Sequence, residues 1–403
     1  MKILVCNVGS TSLKYRLFDL TTGEETLSEG RMERVGTQTG AWMHKDAAQE
    51  AVKQTLPIPD YATGIRLMQE ALLAKTLDSM ESLDCVAFKV VHAQGVTGVQ
   101  LLDESVLSAM AAFNTVAPSH NPPYIAAIRQ FQQALPGTPM IGSFETGFHA
   151  TMPPKAYLYS VPISLYKEHA IRRYGFHGAS HEYVTTRTSE LMGRADFKLI
   201  SCHLGGSGSL CAVVNGKSLD TNLGFSLQCG IMHNNRCGDI DPYIPIYLIK
   251  DFGYSLAQIE TMLNKESGLL GMSGVSNDLR DVETAAAAGN VDAQNAVDSY
   301  CYQIQKQIGA YAAAMGGVDA ISFAGGIGEN SSLVRRKVLE RLEFMGVSLD
   351  LAKNETAKPD CELTGEGSRA RILPSQPTKR LLLRGRQRRI SRPAHRHKNT
   401  KYA

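Results

Sequence analysis

The chain has 403 residues, 43% of them hydrophobic and 20% charged, with a formal net charge of +3. That composition excludes a disordered polymer, and the length exceeds one ordinary core and predicts two domains. Apolar runs such as Met1–Cys6 are too short to span a bilayer, and no basic segment followed by an apolar stretch opens the chain, so a cytoplasmic protein off the membrane is expected.

Short β-branched runs that end in glycine and polar residues read as strands at Ile3–Asn7, Val86–His92, Lys198–His203 and Ala320–Ala324. Helical patterns lie between them at Tyr61–Lys75, His181–Leu191, Val291–Met315 and Ser331–Met345. This alternation predicts an α/β fold with sheets covered on both faces. Two stretches share one design: Ile3–Lys14 and Leu199–Cys211 each run from an apolar strand through a polar residue and a Gly/Ser turn into a second strand, Tyr15–Asp19 and Ala212–Asn215. The echo, half a chain apart, suggests a duplicated domain with a hairpin in each half. The eight cysteines form no CxxC pair and read as scattered buried thiols.

Three glycine turns could offer backbone amides and hydroxyls to phosphate: Gly9–Ser12, Gly205–Ser209 and Gly325–Asn330. None is a P-loop or a dinucleotide fingerprint. The last follows a strand and precedes a helix expected to begin near Ser331, which places its amides at a helix N-terminus. Any one of these is plain turn chemistry; three together, two of them related, favour a nucleotide.

Polar clusters stand at Lys89 and His92, at Glu145 and His149, at His177 and His181, and at Arg236, Asp239 and Asp241. The structural explanation makes His149 and His181 core hydrogen-bonders and Asp239 or Asp241 the N-cap of a helix at Pro242. It accounts less well for His177 and Arg236, each beside glycine in an unusual loop.

These motifs in this order, from Asn7-x-Gly-Ser-x-Ser-x-Lys14 through Ala117–Pro122, Phe144–His149, Tyr174–His181, the Asp220–Pro242 block, Asn277–Arg280 and Gly326–Asn330, resemble the acetate kinase family from Met1 to about Asp350. The resemblance implies the duplicated RNase H-like, actin/hexokinase-type α/β fold, with an N-terminal lobe over 1–147 and a C-terminal lobe over 148–373 around a central nucleotide cleft. It implies reversible, direct in-line phosphoryl transfer from ATP, with Mg²⁺ or Mn²⁺, to acetate or propionate, by a homodimer that uses neither nucleic acid nor membrane. By motif, Asn7 would sit at the metal; Ser10, Ser12 and Lys14 near the ATP phosphates; and Glu145, His177 and Arg236 at the reacting centre. Lys89, Val91, Ser119, Phe176 and Leu227 would hold the acid. His203, Leu204, Gly205, Gly206, Ser207, Asp278, Leu279, Arg280, Gly326, Ile327, Gly328, Glu329 and Asn330 would hold the nucleotide. Three positions depart from the family pattern: Lys89 for Arg, Glu145 for Asp and Gly206 for Asn. A butyrate kinase and a silent nucleotide-binding paralogue are the alternative readings.

The end of the chain differs in charge. Residues 371–403 carry eleven Lys and Arg and no acid, whereas the rest holds 31 against all 39 Asp and Glu. A basic arm for nucleic acid or a membrane surface is one reading. The genetic code supplies another: one permitted codon choice for residues 375–388, read one base earlier, translates as I-P-T-N-E-E-I-V-V-A-R-A-A-A, the ending the resemblance leads one to expect. The expectation is a frameshift near residues 371–374, a disordered tail from 374, loss of a metal-site glutamate, and weak activity.

Overall fold

The computed structural model describes residues 1–375 apart from Ser10, Glu24, Ala48 and Pro359. The expectations for Ser10 and for the tail beyond Ser375 therefore lie outside the described residues. The chain divides into two compact units, Met1–Gly147 and a second that begins at Phe148.

The first unit is built on eight strands: β1 (Lys2–Val8), β2 (Ser12–Asp19), β3 (Glu25–Glu33), β4 (Thr37–Asp46), β5 (Val52–Ile58), β6 (Cys85–Val90), β7 (Val99–Leu101) and β8 (Met140–Phe144). Their order in the sheet is β5-β4-β3-β2-β1-β6-β8-β7. The β1–β2 hairpin is antiparallel, while β1, β6 and β8 run parallel. Parallel neighbours need crossover connections, and helices Tyr61–Lys75 and Asn121–Ala134 lie within them. Asp60 caps the first of these, its carboxylate accepting from the Thr63 amide at 2.7 Å.

The second unit holds β9 (Lys198–His203), β10 (Ser209–Val214), β11 (Lys217–Thr221), β12 (Ala320–Ala324) and β13 (Arg371–Pro374), ordered β11-β10-β9-β12-β13. The β9–β10 hairpin repeats the β1–β2 design, and β12 pairs parallel with β9 and β13. Alternation along the strands sends side chains to two cores. Ile200, Cys202, Leu210, Ile321 and Phe323 meet helix Val291–Met315, whose buried stripe runs Ala293, Ala296, Val297, Tyr300, Ile304, Ile308 and Tyr311. On the other face Leu199, Cys211, Val213 and Ala320 meet Tyr183 and Val184 of helix Gly178–Met192. Each fully buried Ile or Leu contributes on the order of 1.5–3 kcal/mol, and the long helix shares this core with Leu269, Leu279, Val282, Val334 and Val338 of neighbouring helices.

Three boundaries differ from the sequence expectation. The Gly325–Asn330 segment is itself a six-residue helical turn, followed by helix Ser332–Leu339, because Ser331 breaks the run and caps the second helix through its hydroxyl. Strand β6 stops at Val90, and His92 is buried with its ring 4.6 Å from that of Phe113. Pro242 precedes helix Tyr243–Phe252, where Asp241 accepts from the Tyr243 amide; Asp239 instead accepts from Gly230. All eight cysteines are free; five are buried and Cys229, Cys237 and Cys361 are half-buried. No described helix is long and apolar enough to cross a membrane.

Candidate functional site

In the first unit the parallel strands β1, β6 and β8 end at one edge of the sheet. Carboxyl ends of parallel strands are where open α/β sheets gather ligand-binding groups. Lys14 pairs across the hairpin with Asn7, so the two share a face. One step beyond the Cys6/Phe88 pair, the β1–β6 register brings Lys89 beside Asn7, and Lys89 pairs in turn with Ser143. Two residues on, the Glu145 amide donates to the Val90 carbonyl at 2.9 Å, and its side chain reaches back to Lys89, Nζ to Oε1 3.6 Å. The result is a row of ammonium, amide, ammonium and carboxylate along one edge. Glu145 is buried, whereas Lys14 and Asn7 are exposed and the Lys89 side chain is 43% exposed. Tyr124 donates its hydroxyl to Asn7 Oδ1 at 3.0 Å, which orients that amide. Ser12 closes the first glycine turn by accepting from the Gly9 amide at 2.7 Å through its carbonyl. Val91 is buried and Ser119 exposed.

In the second unit the two glycine turns follow adjacent parallel strands, β9 and β12, and are tied together. The Leu204 amide donates to the Ala324 carbonyl at 2.7 Å, and the amides of Ile327 and Gly328 donate back to the Leu204 carbonyl at 2.9 and 3.2 Å. Gly325 takes φ +81°, and a β-carbon there would lie 2.5 Å from the Leu204 oxygen, so glycine is required. The expected open N-terminus is not present at this residue: the Gly325 amide already donates to Glu329 Oε1 at 3.0 Å. Asn330 turns its Nδ2 onto the Gly326 carbonyl. At Gly206 a β-carbon would meet Asn234 Nδ2 at 3.4 Å, while the Asn234 amide donates to the Gly206 carbonyl at 3.1 Å. His233 braces the same turn: its Nδ1 accepts from the Gly208 amide at 3.1 Å and its Nε2 lies 3.3 Å from the Cys229 carbonyl. Burial holds this imidazole down to about 3, foremost by desolvation and then by the Arg236 charge. Asp278 caps helix Leu279–Ala287 and pairs with the exposed Arg280; hydrogen bonds from Arg280 hold its carboxyl down to about 2. Leu279 is buried.

Arg236 is half-buried and donates to the Leu227 carbonyl. No carboxylate pairs with it among the described residues, and desolvation lowers its pKa from the usual arginine value. A desolvated guanidinium without an ion-pair partner is the kind of group that receives an anion. His177 holds a left-handed backbone (φ 56°) at the start of helix Gly178–Met192, with Nδ1 2.8 Å from Ser209 Oγ and its ring 4.4 Å from that of His203. Phe176 beside it is buried and its carbonyl lies 2.9 Å from His149 Nε2. His149 and His181 are core hydrogen-bonders, as their burial and serine partners show. Sequence reading missed the histidine-bonding serines Ser180, Ser201 and Ser218, and also Arg335; it had Ser209 only as the end of a glycine turn. The guanidinium of Arg335 is fully buried on the carbonyls of Gly328, Glu329 and Asn354. The available signal was positional: Ser201 and His203 lie two apart on β9, and Ser209 pairs with His203.

Among the described residues no group of three His, Cys, Asp or Glu could ligate a metal. Asn7 and Glu145 nevertheless supply hard oxygen donors, and Mg²⁺ is usually held by one or two carboxylates plus phosphates and water. The donor set fits that ion.

Two units that each carry a strand–turn–strand hairpin and a mixed sheet define the duplicated actin/hexokinase-type fold. The sequence profile of the Acetokinase family matches residues 2–377. An acetate kinase of Clostridium botulinum (strain Kyoto / Type A2) is 42% identical over 378 residues, 92% of this chain and 95% of that protein. One of Carboxydothermus hydrogenoformans is 42% identical over 379 residues, 93% and 95%. The crystal structure of Porphyromonas gingivalis acetate kinase superposes with TM-score 0.86 at 34% identity, covering 97% of this chain and 100% of that one. A propionate kinase of Francisella tularensis superposes with TM-score 0.85 at 32% identity, covering 95% and 97%. The chain belongs to the acetokinase family.

Proposed function

We propose that this chain transfers the γ-phosphoryl group of ATP to the carboxylate of acetate or propionate, reversibly and in line, to give an acyl phosphate and ADP. The carrying observation is the match to acetate kinases along nine-tenths of the chain, with a propionate kinase among the structural neighbours. A small apolar pocket separates acids by only about 1–3 kcal/mol per methylene, so both acids serve.

The acceptor is already ionised at pH 7 and needs no general base. By motif, Lys89 would give the carboxylate a point charge, and Val91 and Ser119 of the first unit and Phe176 and Leu227 of the second are the candidates to contact its alkyl end. Lys14 and Ser12 serve the phosphates. The residues His203–Ser207, Asp278–Arg280 and Gly326–Asn330 serve the nucleotide. A metaphosphate-like transition state asks mainly for positioning and charge, and Arg236 and His177 supply donors to its equatorial oxygens. Asn7 and Glu145 would hold Mg²⁺, which when bound neutralises phosphate charge. Glu145 is therefore a metal-positioning group, not a proton carrier.

The same reading makes the protein a cytoplasmic homodimer. Support for the dimer is the exposed apolar surface of Tyr243, Ile244, Ile246, Tyr247, Ile249 and Phe252 on one helix. Sedimentation of the wild type and of Tyr247→Glu tests it. For the activity, acyl phosphate is trapped as hydroxamate across acids of two to four carbons with ATP and Mg²⁺. Product with acetate or propionate is expected from the chain carrying the I-P-T-N-E-E ending, and no product from it with any acid overturns the reading.

A further inference from the structure

Three hydrogen-bonding groups stand in single file behind His177 within the second unit. Ser201 Oγ lies 2.8 Å from His181 Nδ1, His181 Nε2 lies 2.8 Å from Ser209 Oγ, and Ser209 Oγ lies 2.8 Å from His177 Nδ1. Ser201, His181 and Ser209 are wholly buried, and they come from β9, helix Gly178–Met192 and β10.

A file of this kind can be protonated in two directions, and the two leave opposite faces on His177. We propose that Ser201 sets the direction and thereby holds neutral His177 as the tautomer with its proton on Nε2. Among the described residues, Ser201 Oγ has one partner, His181 Nδ1. If it accepted there, its own proton would be buried without an acceptor; if it donates, only a spare lone pair is left, which costs less. Ser201 therefore donates to His181 Nδ1. His181 is neutral, since burial and two neighbouring imidazoles hold it far below the usual value, so its single proton is on Nε2. That proton goes to Ser209, whose hydroxyl proton then has one remaining partner, His177 Nδ1. A neutral imidazole that accepts at Nδ1 carries its hydrogen on Nε2.

Resting on the phosphotransfer reading, this makes Ser201, His181 and Ser209 positioning residues. They present an N–H rather than a lone pair to the phosphoryl oxygens, and His177 does so without taking up a proton. The reverse polarity would set a lone pair against an anion.

The test is ¹⁵N NMR of the full chain labelled in histidine, with His177 assigned from a His177→Asn variant. The expected spectrum of the wild type has a pyridine-like Nδ1 and a protonated Nε2 on His177. Ser201→Ala removes the directing donor and should move His177 towards the other tautomer or a mixture, while Ser201→Thr, which keeps the hydroxyl, should not. In the hydroxamate assay Ser201→Ala should lower kcat by about tenfold, below the 10²–10³ of deleting a donor outright, with the KM for ATP little changed. A wild-type His177 protonated on Nδ1 overturns the proposal. So does a Ser201→Ala spectrum in which His177 is unchanged. If Ser201→Ala fails to fold, the wild-type and Ser201→Thr spectra decide. Absence of acyl phosphate even from the chain carrying the I-P-T-N-E-E ending would sink the kinase reading while leaving the tautomer result to stand or fall on the spectra.

Discussion

Lys89 and Glu145 stand at the ends of the adjacent parallel strands β6 and β8, with Nζ 3.6 Å from Oε1. The carboxylate is nearly buried and the lysine is 43% exposed, so the buried acid leans on a cation that still faces solvent. At this exposure the pair contributes little to stability and chiefly aims the ammonium. Lys89→Arg should lower the KM for the acid, because a planar fork binds a carboxylate bidentately where ammonium is a point charge. Lys89→Met should raise it about tenfold or more. Initial rates against acid concentration read both, and an unchanged KM in Lys89→Arg removes Lys89 from the acid site.

Arg236→Ala should reduce kcat by roughly 10²–10³ and change the KM for ATP much less, since its contact strengthens as charge spreads in the transition state. Its cation is desolvated without a carboxylate partner among the described residues, so it costs folding energy. Arg236→Met should therefore melt no lower than the wild type. A clear fall in Tm would mean that the guanidinium has a structural duty.

Stability should fall as pH drops below about 6.5. The His233 pKa is depressed to about 3 in the folded chain, so between those values the unfolded chain binds the extra proton and stability rises with pH. His181 acts in the same direction. Each contributes at most about 1.4 kcal/mol per pH unit. Urea midpoints at pH 7.5 and 5.5 should differ more for the wild type than for His233→Gln; equal differences would exclude His233.

Gly325→Ala should cost at least about 1–3 kcal/mol, because a β-carbon at φ +81° meets the Leu204 oxygen at 2.5 Å. It should also raise the KM for ATP, since that oxygen holds the amides of Ile327 and Gly328. Thermal melts and ATP titration check the two effects separately.

Replacing everything after Pro374 with the I-P-T-N-E-E-I-V-V-A-R-A-A-A frame should raise kcat at saturating Mg²⁺. The family match ends at residue 377, and β13 is built as far as Pro374, with Ser375 buried against Phe323. Resequencing the gene is the direct check. Codons that forbid the shifted reading end the idea.

Local patterning carried most of the elements. Helices Tyr61–Lys75 and Val291–Met315 and strands Lys198–His203 and Ala320–Ala324 have the bounds that the residue pattern predicts, because apolar spacing acts within a turn of chain, and the structure adds the caps Asp60, Asn290 and Gly316. The hairpin echo between β1–β2 and β9–β10 was likewise local. The motif order named the groups of the candidate site. What needed tertiary structure were relationships across strands and crossovers. Strand register set Lys14, Asn7, Lys89 and Glu145 in one row, although more than 130 residues separate the first from the last. The glycine turn became a helix with its first amide already taken by Glu329. Ser201 looks like an ordinary strand serine in the chain and Ser209 like the end of a glycine turn; pairing of β9 with β10 sets both hydroxyls against the buried His181, Ser201 on its Nδ1 and Ser209 on its Nε2, because buried donors must find acceptors across strands rather than along the chain.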